Sequence, residues 1–223
     1  MSEETTKAKD VFSEPQSLAI AKAIQDGKET EYKALINKAS DLNQAGLEDI
    51  TLLHWAAYMD DKVATKLLLE AGADAALIDD AGETVAHFVT GITDPEFLQI
   101  LLEEGLNPNL RDGRGEPLLF DSIMCRRMPQ LKLLIKHGAD LDILSDPLMQ
   151  STALHKASAI NEFEGLLILL QSGANPNIKN SSGHDFLVYF NDVDESIMTD
   201  EGITERQAIK DWLSSHNNST ESK

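Results

Sequence analysis

The chain has 223 residues, with 38 acidic side chains against 19 basic ones and a formal net charge of −19 at pH 7. This length suits one domain or a short repeat array, and so large an acidic surplus excludes nucleic acid and anionic membrane as ligands of the surface as a whole, because phosphate is bound through Lys and Arg. Apolar residues at 42% lie in the usual globular range, so the acidity is not that of a disordered chain and instead predicts attraction toward basic partners.

The N-terminal stretch MSEETTKAKDVFSEP is polar and lacks the apolar core of a signal peptide. No apolar run approaches the ~18–20 residues that span a bilayer. The single cysteine, Cys125, cannot form an internal disulfide, and these features together predict a cytoplasmic protein. Residues 1–12 are expected to form a disordered tail. Ser13-Glu14-Pro15-Gln16 then reads as a capping box with proline in the first helical turn. It opens a helix through Leu18, Ala21, Ala23 and Ile24. A second helix over 29–38 leads to Ala39-Ser40-Asp41.

From there a period governs the chain. Four segments end alike: LLLEAGADAAL at 67–77, ILLEEGLNPNL at 100–110, LLIKHGADLDI at 133–143 and ILLQSGANPNI at 168–178. Their glycines, Gly72, Gly105, Gly138 and Gly173, are spaced 33, 33 and 35 residues apart. Four other segments begin alike: TLLHWAA at 51–57, TVAHFVT at 84–90, PLLFDS at 117–122 and TALHKAS at 152–158, in the same spacing. Two independent markers in one register predict stacked repeats, since a single helix pair cannot bury its apolar faces alone. Gly183-His184-Asp185-Phe186 restarts the pattern, a final helix is expected over 204–216, and 217–223 is expected to be a disordered tail. The units fall at about 15–45, 46–78, 79–111, 112–146, 147–179 and 180–216, making one repeat domain over 13–216.

These motifs resemble the ankyrin-repeat family, whose pattern is Gly-x-Thr-Pro-Leu-His-x-Ala-Ala, two helices, then Gly-Ala-Asp. The likeness is carried by 51–57 with Gly72-Ala73-Asp74, by 82–87, and by 152–157 with Gly173-Ala174-Asn175. It implies an all-α ankyrin-repeat solenoid of about six helix–turn–helix repeats joined by β-hairpin loops. Asp49 and Gln150 stand where the turn glycine is expected, Pro117 and Phe120 replace Thr and His in the fourth unit, and two extra residues fall around 146–149. His54, His87 and His155 occupy the position where the family uses the imidazole to bridge turns, which makes them scaffold. No metal-ligand spacing, phosphate loop or nucleophile elbow occurs. The acidic run from Asp192 to Ser196 lacks the glycine and the glutamate that a calcium loop needs at its sixth and twelfth positions. No cofactor or metal is expected.

In this family the hairpin tips and the exposed ends of the first helices line a concave binding face. In this sequence those positions select Leu47, Ile50, Tyr58 and Met59 in the second unit, and Asp80, Glu83 and Ile92 in the third. The fourth gives Arg114, Glu116 and Met124, the fifth Leu148, Met149 and Ile160, and the sixth Asp192. Many are large and apolar, as at interfaces. Arg111, Arg114, Arg126 and Arg127 form a second candidate patch, able to receive acidic groups. The acidic insert over 191–202 reads either as an arm for a basic partner or as a solvated loop. The expected role is a non-catalytic protein-binding module, most simply a stand-alone inhibitor or immunity/antitoxin-type protein that grips a partner with a basic surface. It would act as a monomer or in a 1:1 complex, without nucleic acid or membrane. An adaptor joining two proteins is the alternative, and an enzyme or metal-dependent protein the remote one.

Overall fold

The computed structural model describes residues 6–145 and 148–217; the expected tails at 1–5 and 218–223 lie outside the described residues. The chain divides after Arg114 into two compact units, taken here in turn.

The first unit holds α1 (Ala8–Val11), α2 (Pro15–Gln25), α3 (Glu29–Ile36), a 3-10 turn (Leu47–Asp49), α4 (Leu52–Tyr58), α5 (Lys62–Glu70), α6 (Val85–Gly91) and α7 (Glu96–Glu103). Within it α2, α4 and α6 pack side by side as one layer, and α3, α5 and α7 as the layer behind. The cause is visible in α4, where every residue from Leu52 to Ala57 is buried, including His54 and Trp55. Such a helix is apolar on all sides and must be covered by neighbours. The second unit repeats the plan with α8 (Leu118–Met124), α9 (Met128–Lys136), α10 (Ala153–Ala159), α11 (Phe163–Gln171), α12 (Phe186–Asn191), a 3-10 turn (Glu195–Ile197) and α13 (Asp200–Asn217). Here α8, α10 and α12 line up, backed by α9, α11 and α13.

The first helices start on matched devices. Thr51, Thr84 and Thr152 are N-caps whose hydroxyls lie 2.8 Å from Nδ1 of His54, His87 and His155. His155 Nε2 reaches on to the His184 carbonyl at 2.9 Å, tying one repeat to the next. All three imidazoles are buried, and burial holds the pKa of His54 and His155 below the ordinary histidine value. Their part is structural, as the register implies.

The connecting turns are equally regular. Asp41, Asp74, Asn107, Asp140 and Asn175 each accept a hydrogen bond from the backbone N–H two residues ahead, at 2.8–3.0 Å. This is the Asx turn, which lets a short polar side chain stand in for a backbone partner. Four hairpins share a matched closing bond, from Gly46 N–H to the Ile50 carbonyl, Asp79 to Glu83, Ser145 to Ser151 and Asn180 to His184, all at 2.8 Å. Among the described residues no strand forms; isolated bridge positions occur at Ile78 and Thr84, which pair antiparallel, and at Arg111 and Pro117. The fold class is all-α.

Three expectations are corrected. The N-terminal segment is not a tail from residue 7 onward: Ala8 and Phe12 are buried, Ala8 N–H donates to Gln25 Oε1 at 2.8 Å, and Phe12 meets the Trp55 ring edge-on. The apolar pair Val11-Phe12 in a polar stretch was the signal, because burying a phenyl ring stabilises by about 1.5–3 kcal/mol. The cap of α2 is Glu14 rather than Ser13, its carboxylate accepting from Ser17 N–H at 2.6 Å. The insert at 191–202 is not a free loop. Glu195 pairs with Arg206 and, at 2.9 Å, with Lys210, while Arg206 donates to the Phe190 carbonyl at 2.9 Å and lies over the Phe190 ring.

Candidate partner-binding surface

In the first unit the second hairpin holds Leu47, Glu48 and Asp49 out of the core, with Leu47 62% exposed. Glu48 and Asp49 sit at φ 57° and 54°, the left-handed region that costs an L-residue roughly 1–2 kcal/mol. Asp49 therefore keeps the geometry that a glycine would take there. The Glu48 carbonyl accepts from Asp80 N–H at 3.0 Å, so the second and third tips are joined. The hydrogen bond that a protonated Asp80 carboxyl donates to Asp49, and the Asp49 charge, push the Asp80 carboxyl above its ordinary value. Asp79 shapes the third tip, its carboxylate accepting from Ala81 and Glu83 N–H at 3.0 and 2.9 Å.

Tyr58, at the end of α4, is 40% exposed. Its ring stands edge-on to Phe88 at 4.6 Å between centroids, an arrangement that holds the phenol in place. Burial, then the charges of Asp79, Glu83 and Glu48, raise the pKa of its hydroxyl. Met59 and Ile92 are half-buried. Ile50 is not the exposed contact that the register implies: at 9% exposure it belongs to the core. The 3-10 turn just before it holds Leu47 outward and leaves Ile50 buried in the cavity wall.

Between these elements lies a cavity of about 330 Å³, walled by Thr6 and Val11 on one side and by Ile50, Trp55, Tyr58 and Met59 on the other, with Glu48 beside them. Gly46 makes this wall possible. A Cβ there would meet the Val11 carbonyl oxygen at 2.5 Å, so only glycine lets the N-terminal segment lie this close. Sequence reasoning missed Thr6, Val11 and Trp55. The apolar pair Val11-Phe12 inside a polar run was the available sign.

The arginine patch is occupied from within. Arg114 is exposed, yet it pairs with Asp112 at 2.8 Å and Glu83 at 3.4 Å. In the second unit Arg126 pairs with the buried Glu162 at 3.2 Å and donates to the Ile160 carbonyl at 3.4 Å. Glu116 is half-buried and held by Lys156 at 3.5 Å. Ile160 is half-buried, and Asp192 is exposed at the end of α12. Met124 is 51% exposed, Leu148 83% and Met149 54%. The Met149 carbonyl accepts from Ser181 N–H at 3.1 Å, linking the fifth tip to the sixth. Among the described residues no group of three or more His, Cys, Asp or Glu side chains converges as a metal would need, and no helix is long and apolar enough to cross a membrane.

Comparison with known proteins agrees with this geometry. Two family models match, both described as ankyrin repeats, over residues 85–180 and 53–102. The neurogenic locus notch homolog protein 1 of Mus musculus is 34% identical over 146 residues, which are 64% of this chain and 6% of that protein. The chain thus spans a small fraction of the length of such relatives. The crystal structure of the ankyrin repeat protein EF0377 is similar at TM-score 0.71 and 22% identity, covering 86% of this chain and 96% of that one. The ankyrin repeat domain of Bcl-3, from the IkappaB protein family, is similar at TM-score 0.71 and 26% identity, covering 77% and 78%.

Proposed function

We propose, on the premise that the chain belongs to the ankyrin-repeat family, that it is a non-catalytic protein-binding module acting as an inhibitor of the immunity or antitoxin type. The reading takes residues 13–216 as the repeat domain, in six units, and a 1:1 complex in a reducing, cytoplasmic setting as its working state. One observation carries it: of the large apolar side chains that stand exposed, Leu47, Tyr58, Met124, Leu148 and Met149 gather at the hairpin tips and first-helix ends, while Val63, Ile78, Val188 and Ile203 lie scattered elsewhere. Solvated scaffolds have no use for methionine and tyrosine there, whereas interfaces favour both. The charge of −19 supports a basic target, because complementary fields speed encounter and reject wrong partners. Capture of a harmful enzyme rewards such speed.

An adaptor is the second reading, favoured by the fact that each compact unit carries exposed apolar residues of its own. One experiment separates the two. The full chain is used as bait under native conditions, bound proteins are identified by mass spectrometry, and their stoichiometry and activity are measured. A single basic protein held 1:1, with its activity suppressed, supports inhibition. Two partners held at once, both active, supports the adaptor. Turnover of a small molecule by the purified chain would defeat both.

A further inference from the structure

We infer that the cavity between the N-terminal segment and the second repeat receives one bulky apolar side chain of a partner protein, flanked in that partner by Lys or Arg. This rests on the protein-binding reading and specifies its chemistry. Apart from Thr6 and Glu48 the lining side chains are apolar or aromatic, and the aromatic ones are set in advance. Trp55 is fixed by its indole N–H donating to the Ala21 carbonyl at 3.0 Å and by a T-shaped contact with Phe12, and Tyr58 is fixed by Phe88. The volume of about 330 Å³ lies near the lower end of ligand pockets, ~300 Å³, which fits one large side chain rather than a cofactor.

Charge complementarity chooses the neighbours of that side chain. Glu48 stands beside the cavity, and Asp49, Asp79, Asp80 and Glu83 occupy the same two tips. The charged groups acting on Tyr58 are all acidic, and Asp80 is crowded by Asp49. Arg114 is already paired with Asp112 and Glu83, and Lys7 and Lys9 lie on the N-terminal segment that forms the other wall. A Lys or Arg laid across Glu48, Asp49 and Asp80 would relieve their mutual repulsion, while an acidic segment would add to it. Rim charges of this sort govern rate and specificity, and the central aromatic anchor governs affinity.

The test pans a random-peptide phage library against the immobilised full-length chain. Enriched sequences are expected to place Leu, Ile, Met or Phe next to Lys or Arg. Synthetic versions should weaken at least ~10-fold on Tyr58→Ala and about fivefold on the surface pair Asp49→Asn with Asp80→Asn, the latter only at low salt. Tyr58→Phe, which keeps the ring, should bind nearly as well as the native chain, and circular dichroism melts identify any variant that has lost its fold. The proposal is overturned by no enrichment, by enrichment of acidic or purely aliphatic sequences, or by binding indifferent to both sets of substitutions. Self-association that disappears in Tyr58→Ala overturns it too, since the occupant would then be a second copy. If the peptides instead lose affinity on Met124→Ala or Met149→Ala, the cavity is the wrong site while the protein-binding reading stands.

Discussion

The second and fifth hairpins have the same irregularity and put it to different use. Each has a side chain where a turn glycine is expected, and both Asp49 and Gln150 take left-handed φ, 54° and 49°. Each closes with a 2.8 Å backbone bond, Gly46 to Ile50 and Ser145 to Ser151. Yet the second hairpin is backed by α1 and encloses a cavity with buried Ile50 and Trp55 behind it. The fifth holds Leu148 and Met149 out at 83% and 54% exposure. A departure from the repeat pattern makes apolar surface available, but it takes a second wall to turn that surface into a shaped recess. In this chain the wall comes from outside the repeats.

Removing what lies behind the recess should have the largest effect. Trp55→Ala is expected to cost about 3–5 kcal/mol, read as a lower urea midpoint, because a fully buried indole leaves a cavity. A loss under ~1 kcal/mol would mean that the N-terminal wall is not packed as described. Gly46→Ala comes next: its Cβ would strike the Val11 carbonyl, with an expected cost of roughly 1–3 kcal/mol. Hydrogen exchange should then rise across residues 8–12 and leave the second unit unchanged. If exchange at 8–12 stays protected, the close approach at Gly46 is not what seats that segment.

Much of this was legible in the chain. The register of Thr51, Thr84, Pro117 and Thr152 located the first helices to within a residue, because caps and buried alanines act locally. The roles of His54, His87 and His155 followed from their place in that register. Ile50 did not, since alternation along a tip says which residues differ and not which one faces the helix. The N-terminal segment escaped because its burial depends on Trp55 and Gly46, more than thirty residues away in sequence. The insert at 191–202 was read by charge, which hid the ion pairs of Glu195 with Arg206 and Lys210.

Two smaller effects refine the comparison. Asp49→Gly and Gln150→Gly should each stabilise by up to ~1 kcal/mol, as relief of left-handed strain outweighs the greater entropy of the unfolded chain. Equal gains in urea unfolding would show the two turns equally strained; a gain confined to Gln150→Gly would show that Asp49 is stabilised by its tip. The smallest effect is expected of Leu148→Ala, within about 0.5 kcal/mol of the native stability. A larger loss would show that Leu148 packs in the free chain and is no interface residue.

The bond from Ser145 to Ser151 has a further consequence. Two additional residues enter the fifth hairpin, the closing distance stays at 2.8 Å, and α10 still starts on its threonine cap against α8. The described residues on either side of the insertion keep the repeat geometry, and the helical frame does not register it. Loop length can therefore be edited one repeat at a time, by evolution or by an engineer, to reach a recessed or protruding feature on a target. Each hairpin is in that respect a separate finger whose length can be altered without re-fitting the hand.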